Sequence, residues 1–430
     1  MRLPGFPTMS RERLDRLRNE LFKKQAAHAA ATVPFYRDLF ARRGLSPDRI
    51  SDLRDLSMFP VVSKSDIVED DARFLSDRYA PTQLTKSHTS GSTGSPFTSY
   101  FDPVYWMRKK YYSKLRARMI CGFVPGEKTA VLECEPQETV ARKNASFSTH
   151  RVLRMRFFSI FEDPVLVLSD MARFDPTTIY GYPAFLFELA GLMAEKKVGL
   201  PQLSRIFTSS EYLQPGVRST IEIAFGASVY DHYGCTETKE IAWQCKAKNG
   251  YHVNEDELIV EIVENGEPVP PGTPGEVVVT DLLNRAMPFV RYRVGDRAVM
   301  CETPCVCGRT FTTMRPLAGR ASDHVILPGG IKLTPYRFTT TVENAPGVLQ
   351  YQIVQEDEST ITIRLVARRD MEQKAAAAVE KAVREVTKDM MSVRTAFFDK
   401  INVEENGKFK VVKSKLVSAG DMPDKTAPLS

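Results

Sequence analysis

Thr89-Ser90-Gly91-Ser92-Thr93-Gly94-Ser95-Pro96-Phe97-Thr98 is the stretch on which the reading of the fold turns. The six residues Ser90 to Ser95 are all small and have little to give an apolar core. Gly91 and Gly94 let the backbone turn and approach an anion closely, while the serines and Thr93 supply hydroxyl and amide donors to the oxygens of a polyphosphate. It is not a Walker loop, because no Gly-Lys-Ser/Thr follows at the required spacing. A flexible Ser/Gly linker is the competing account. The setting argues for a loop between ordered segments: Leu84 lies shortly before it, and Phe97-Thr98-Ser99-Tyr100-Phe101 alternates as a strand does.

Working outward, helical spacing rich in Arg, Leu, Ala and Glu runs from about Ser10 to Arg43, and Pro60 to Asp66 reads as a turn into a capped helix. Tyr105 to Arg118 reads as a basic amphipathic helix, with a solvated face or a surface for anionic phosphates as its uses. Thr129 to Glu133, Arg205 to Ser209 and Ala227 to Tyr233 read as strands, and Ala184 to Lys197 as a helix opened by Gly181-Tyr182-Pro183. That alternation predicts an α/β arrangement with sites at strand ends. Beyond Gly250 the texture changes to consecutive strands, Leu258 to Val263 and Glu276 to Thr280, around a Pro/Gly turn. From about Gly319 strands at Tyr351 to Gln355 and Thr360 to Val366 accompany a helix over Met371 to Met390, and the polar tail after Leu416 is expected to be disordered.

Composition bounds the function. The 430 residues, 43% hydrophobic, suffice for two to three domains. A net charge of +6, from 59 basic and 53 acidic residues, is too near balance to argue for nucleic acid and equally suits an anionic small substrate. No apolar run is long enough to span a bilayer and Met1 to Phe6 lacks a signal-peptide core, so a cytoplasmic protein is expected. Seven cysteines, an odd number gathered late in the chain, do not make a secreted disulfide framework.

Three further constellations carry chemistry. In Tyr230-Asp231-His232-Tyr233-Gly234-Cys235-Thr236-Glu237 a strand ends in a glycine turn bearing a ring, a hydroxyl and a carboxylate, a set that suits a purine and a divalent cation. In Phe289 to Asp296 a strand closes on Gly295-Asp296, where a carboxylate at a turn accepts from ribose hydroxyls. Last come Gly319-Arg320-Ala321-Ser322-Asp323 and the late Gly407-Lys408.

In this order the motifs resemble the ANL superfamily of adenylate-forming enzymes, most closely its phenylacetate-CoA ligase branch, with matches spread from residue 89 to 408. The resemblance implies an α/β fold: a large N-terminal domain over residues 1–318, built from α/β subdomains and a β-rich subdomain, and a small mobile α+β lid over 319–430. It implies that a carboxylic acid, aryl or otherwise small, is activated by ATP to an acyl-adenylate, and that coenzyme A then displaces AMP; another acceptor would make the chain an adenylyltransferase or amide-forming ligase. A scaffold that has lost turnover is the alternative from another class, and retention of Glu237, Asp296 and Lys408 speaks against it.

Carried over by position, Ser90, Gly91, Ser92, Thr93 and Gly94 hold the β- and γ-phosphates; Ser209, Ser210 and Glu211 line the adenine; Tyr233, followed by Gly234, stacks on it. Thr236 meets the α-phosphate, Glu237 ligates Mg2+, Asp296 binds the ribose, Arg320 lies near ribose and phosphate, and Lys408 reaches the α-phosphate. Lys410 and Lys413 compete for that last role, and the hinge departs from the family's Gly-Arg-x-Asp in having Ser322 where Asp is usual. Tyr180 and Tyr182 match the region lining the carboxylate pocket or pack the helix start, and His232 and His88 each either touch substrate or are hydrogen-bonded structural histidines.

Cys245, His252, Cys305 and Cys307 supply three thiolates and an imidazole, a set for structural Zn2+, with buried free cysteines as the competing account. Some members of the branch carry a comparable site. Cys301 is then spare, and Cys235 a small packing residue. The expected partners are the acid and coenzyme A, with no nucleic acid and no membrane; a homodimer is left open.

Overall fold

The computed structural model describes residues 9–88, 98–148, 154–320, 325–333, 335–342, 345–404 and 409–416. The glycine-rich stretch Ser90 to Gly94, Lys408 and the tail after Leu416 lie outside these, as do the side chains of His88 and Arg320. The chain divides into two compact parts: Met1–Gly122 with His232–Pro316, and Phe123–Asp231 with Leu317–Ser430.

The first part is an antiparallel sheet dressed by helices. Its strands run Glu267–Pro268, Leu258–Glu264, Pro274–Asp281, Tyr292–Met300, Thr313–Arg320, Tyr251–Val253, Lys239–Gln244 and Ser228–Cys235 in spatial order. The N-terminal helix Arg11–Thr32 is capped by Ser10, whose side chain accepts from the Arg13 amide, and Pro34 opens the next helix, Pro34–Arg42. Phe22, Ala26, Val33, Tyr36 and Phe59 form a core with Ile259, Leu282 and Val290.

Residues 103–120 form one continuous helical run whose middle, Arg108–Ser113, is wound as a π-helix. Its basic character belongs only in part to a solvated face, where Arg108 and Lys110 are exposed. Lys109 and Arg116 are wholly buried, because three consecutive acids, Glu255, Asp256 and Glu257, are buried beside them. Glu257 accepts from Lys109 Nζ at 3.0 Å, Arg108 Nε at 3.1 Å and Ser113 Oγ at 2.8 Å. Burial alone would raise that carboxyl, but Lys109, Arg116 and Arg108 outweigh it and hold it down to about 2. Arg116 forks onto Asp256 and Asn254, while Arg11 and Arg18 reach Glu255. Breaking one partner of such a buried pair costs about 3 to 5 kcal/mol, so the acids fix the two helices on the sheet.

The second part carries parallel strands in the order Met155–Ser159, Thr129–Glu133, Thr178–Gly181, Arg205–Ser209 and then the start of Ser228–Cys235. Helices Pro164–Phe174, Pro183–Lys196 and Pro215–Phe225 each begin with proline at the first turn. The C-terminal segment adds a sheet in the order Ser392–Phe397, Thr360–Ala367, Val348–Gln355 and Val412–Ser414, with helix Glu372–Thr387 burying Ala375, Val379 and Val383 on it. This segment packs on helix Pro215–Phe225: the Gln214 amide both donates to and accepts from the Tyr351 backbone at 3.2 Å. No described helix is long and apolar enough to cross a membrane.

Candidate functional site

Strand Ser228–Cys235 does not end at Gly234. It runs through it, and the turn comes afterwards, at Thr236-Glu237-Thr238, before the antiparallel return Lys239–Gln244. Glycine is required at 234 because a Cβ there would lie 2.3 Å from the Lys239 carbonyl oxygen across the hairpin. Cys235 pairs with Lys239, whose φ of +61° supplies the left-handed residue that closes a three-residue hairpin loop. The Cys235 thiol is pushed up to about 12 by burial and by Glu237, which makes it a poor nucleophile and a packing residue.

Gly295-Asp296 likewise is not a strand end. The strand Tyr292–Met300 continues past it, with Arg293 opposite Val278 but Arg297 opposite Glu276, so the segment between is bulged against its neighbour. Gly295, at φ +89°, takes the conformation the bulge needs. The bulge brings the Asp296 carboxylate to the hairpin, where it accepts from Tyr233 Oη at 2.9 Å. On the same strand the buried Tyr292 donates its hydroxyl to Glu237 Oε1 at 2.9 Å. A carboxylate has about four acceptor positions, so this bond leaves lone pairs for a cation. Tyr233, Thr236 and Asp296 are partly exposed, whereas Glu237 is 7% exposed. The two sequence motifs, 63 positions apart at Tyr233 and Asp296, thus form one hydrogen-bonded unit.

His232 is 4% exposed, with Nδ1 3.3 Å from Glu240 Oε1. Burial alone would raise Glu240, and His232 outweighs this and holds it below the ordinary carboxylate range. Lys239 and Glu240 carry no motif signal in the sequence; only the hairpin register brings them forward. Burial lowers the Lys239 amine to about 8.

In the second part, Tyr180 Oη lies 2.6 Å from Ser209 Oγ, and Ser210 Oγ is 3.3 Å further on. Ser210 is held at φ +76°, a conformation rare for a residue with a Cβ and a mark of a constrained strand end. Glu211 accepts from the Ala184 amide at 2.8 Å and so satisfies an orphan donor at the start of helix Pro183–Lys196. Tyr182 is the residue preceding that helix, and burial raises its phenol.

Cys245, His252, Cys305 and Cys307 come together with their ligand atoms all within 4.8 Å of one another. Cys245 Sγ and Cys305 Sγ are 3.7 Å apart, and Cys307 Sγ is 3.3 Å from His252 Nε2. A Zn–S bond of about 2.3 Å implies a tetrahedral S–S edge of about 3.8 Å, whereas a disulfide would need about 2.05 Å. His252 Nδ1 lies 3.0 Å from the Phe311 carbonyl oxygen, which can only accept, so Nδ1 carries the proton and Nε2 keeps its lone pair for a ligand role. Burial pushes the Cys305 thiol up to about 12, a cost that a bound cation removes. The donor set and spacing fit zinc. Trp243 stacks on His252 at 5.0 Å, and Cys301 stands outside the group.

A hairpin offering a ring, a hydroxyl and a buried carboxylate beside a bulge offering an aspartate has the chemistry to hold a purine nucleotide and a divalent cation. Residues 150–282 match the AMP-binding enzyme family and residues 325–415 the CapK C-terminal domain. The phenylacetate-coenzyme A ligase of Thermus thermophilus is 27% identical over 376 residues, covering 83% of this chain and 82% of that protein. That of Aromatoleum evansii is 26% identical over 403 residues, 86% of this chain and 87% of its own length. The crystal structure of 2-hydroxyisobutyryl-CoA ligase in the postadenylation state superposes with a TM-score of 0.74 at 21% identity, over 93% of this chain and 90% of that one, which establishes a common fold. Together these similarities support an adenylate-forming enzyme of the ANL superfamily, in its phenylacetate-CoA ligase-like branch.

Proposed function

We propose that this chain is an AMP-forming acid-CoA ligase: the substrate carboxylate attacks the α-phosphorus of ATP and expels pyrophosphate, and the sulfur of coenzyme A then attacks the acyl carbon and expels AMP. The observation that carries the reading is the joining of Tyr233, Glu237, Tyr292 and Asp296 through two 2.9 Å hydrogen bonds at one hairpin. Charge grows at phosphate oxygens in the first step, and fixed donors and cations aimed there lower its barrier. In this reading Tyr233 stacks on adenine, Asp296 accepts from the ribose, Thr236 donates to the α-phosphate and Glu237 holds Mg2+, which neutralises phosphate charge. Ser209, Ser210 and Glu211 border the base, Ser90 to Gly94 hold the outer phosphates, and Arg320 and Lys408 belong to a lid of residues 319–430. Tyr180, Tyr182 and His232 border an aryl or related small acid. The four Cys/His ligands hold a structural Zn2+ that closes the end of the β-rich part.

A screen of carboxylic acids for pyrophosphate release, followed by identification of both nucleotide products, tests this. AMP with pyrophosphate, and a CoA thioester by mass, are expected. ADP with phosphate overturns the adenylate mechanism, and an adenylate that CoA does not consume overturns the ligase assignment while keeping the first step.

A further inference from the structure

Lys239 stands two residues after Glu237 and was not singled out by any motif. Its ammonium lies 4.6 Å from the ring centre of Phe101 and 4.5 Å from that of Trp106, and it donates to Ser87 Oγ at 3.0 Å. Among the described residues no carboxylate lies within salt-bridge distance of it, yet its side chain is largely withdrawn from water. A withdrawn ammonium with no carboxylate at contact distance is costly, and Glu237 acting from further off, the aromatic faces and one hydroxyl offset only part of that cost. A second cation shares the same indole: Lys110 Nζ is 5.5 Å from the Trp106 ring centre. Like charges gathered around one ring repel unless an anion sits among them.

The backbone points the same way. Lys239 is held at φ +61°, where glycine or asparagine is the ordinary choice, and its carbonyl is what excludes every side chain from position 234. The hairpin thus fixes where the Lys239 backbone stands, two residues after the motif's carboxylate.

We infer that Lys239 is a ligand for anionic oxygen in the reaction itself, either of the pyrophosphate that leaves ATP or of a second acidic group on the carboxylic acid substrate. The inference rests on the adenylate-forming reading above. An ammonium held against two rings and a hydroxyl, on a side chain that is still partly exposed, has its remaining N–H donors restricted in direction, so it selects an anion by position as well as by charge.

The two sources separate in experiment. Formation of AMP by the wild-type protein first establishes the reading on which this rests. Trp106 emission is then followed as Mg–pyrophosphate is added to the wild type, Lys239→Met and Lys239→Arg; the chain's second tryptophan, Trp243, is wholly buried. If Lys239 serves pyrophosphate, Lys239→Met weakens binding at least tenfold, Lys239→Arg restores most of it, and turnover falls equally for every acid. If it serves the acid, pyrophosphate binding is unchanged, and kcat/KM falls at least tenfold for acids with a second acidic group, such as phthalate against benzoate, with no fall for the plain acid. A change under twofold in both measurements, in an active wild type, overturns the inference and leaves Lys239 a packing cation. Should Lys239→Met not fold, as judged by melting, Lys239→Gln takes its place under the same criteria.

Discussion

One strand, Lys239–Gln244, has a different kind of site at each end. At its start is the hairpin with Glu237, Tyr233 and Asp296; immediately after its end is Cys245 of the Cys/His cluster. Six residues at about 3.3 Å each put the two roughly 20 Å apart. The cluster is built from buried side chains that face one another: Cys245 and His252 are wholly buried and Cys305 is 5% exposed. The hairpin is built from side chains that meet at their tips and leave a face open, with Tyr233, Thr236 and Asp296 all partly exposed. A site that holds an ion for the lifetime of the fold needs closure, and a site that binds and releases a nucleotide at every turnover cannot have it. Burial thus separates a structural reading of four polar side chains from a catalytic one, where residue types alone do not.

That contrast is broken most severely at the cluster. Cys305→Ser with Cys307→Ser is expected to remove about one equivalent of zinc per chain and to lower the melting temperature by several degrees or more, since structural zinc contributes to folding outright. Below the melting transition, nucleotide binding at the hairpin should remain within a few-fold of the wild type. Elemental analysis and thermal denaturation check the first part. A folded double variant that no longer binds ATP would show that the two ends of the strand are not separate devices.

The next effect in size lies at the bulge. Asp296→Ala removes the acceptor assigned to the ribose, and a charge-assisted hydrogen bond of about 1.5 to 3 kcal/mol corresponds to a tenfold to hundredfold loss of ATP affinity. The fold should be nearly unaffected, because the Asp296 carboxylate is partly exposed and bonds to a tyrosine hydroxyl that water can satisfy. Calorimetric titration of ATP reads the affinity directly. Unchanged affinity with a lowered melting temperature would move Asp296 from the open site to the supporting structure.

What the sequence made legible divides along the same line. Residues whose chemistry is local stand out as motifs: Tyr233 and Asp296, which the structure joins, Glu237 in the same hairpin, and the four Cys/His side chains that it gathers. What escaped depended on long-range pairing. The basic run 108–118 reads as wholly a solvated face until Glu257 and Asp256, some 140 residues later, are seen to pair with the buried Lys109 and Arg116. Gly234 and Gly295 read as strand-ending turns, whereas one is a close approach across a hairpin and the other a bulge inside a strand; both need the partner strand to be recognised. Lys239 had no signal at all, because it owes its place to register, and Tyr292 stood inside the motif that closes on Asp296 without any sign of its bond to Glu237.

Tyr292 gives the smallest of these effects and the sharpest division between roles. Its ring is 1% exposed and packs 5.0 Å from that of Phe289, and its hydroxyl donates to Glu237 Oε1. Tyr292→Phe keeps the ring and removes only the donor, so the carboxylate loses the bond that fixes its orientation without losing its charge. If Glu237 holds Mg2+, the magnesium concentration for half-maximal pyrophosphate release should rise by roughly threefold to tenfold, about 1 kcal/mol of orientation, while turnover at saturating magnesium stays near wild type. Glu237→Gln, which removes the charge, should by contrast fail to recover at any magnesium concentration. If Glu237 serves only to anchor the hairpin, Tyr292→Phe should lower the melting temperature and leave the magnesium dependence where it was. A magnesium titration of the two variants beside the wild type therefore decides whether the most buried acid of the open site acts on a ligand or on the fold.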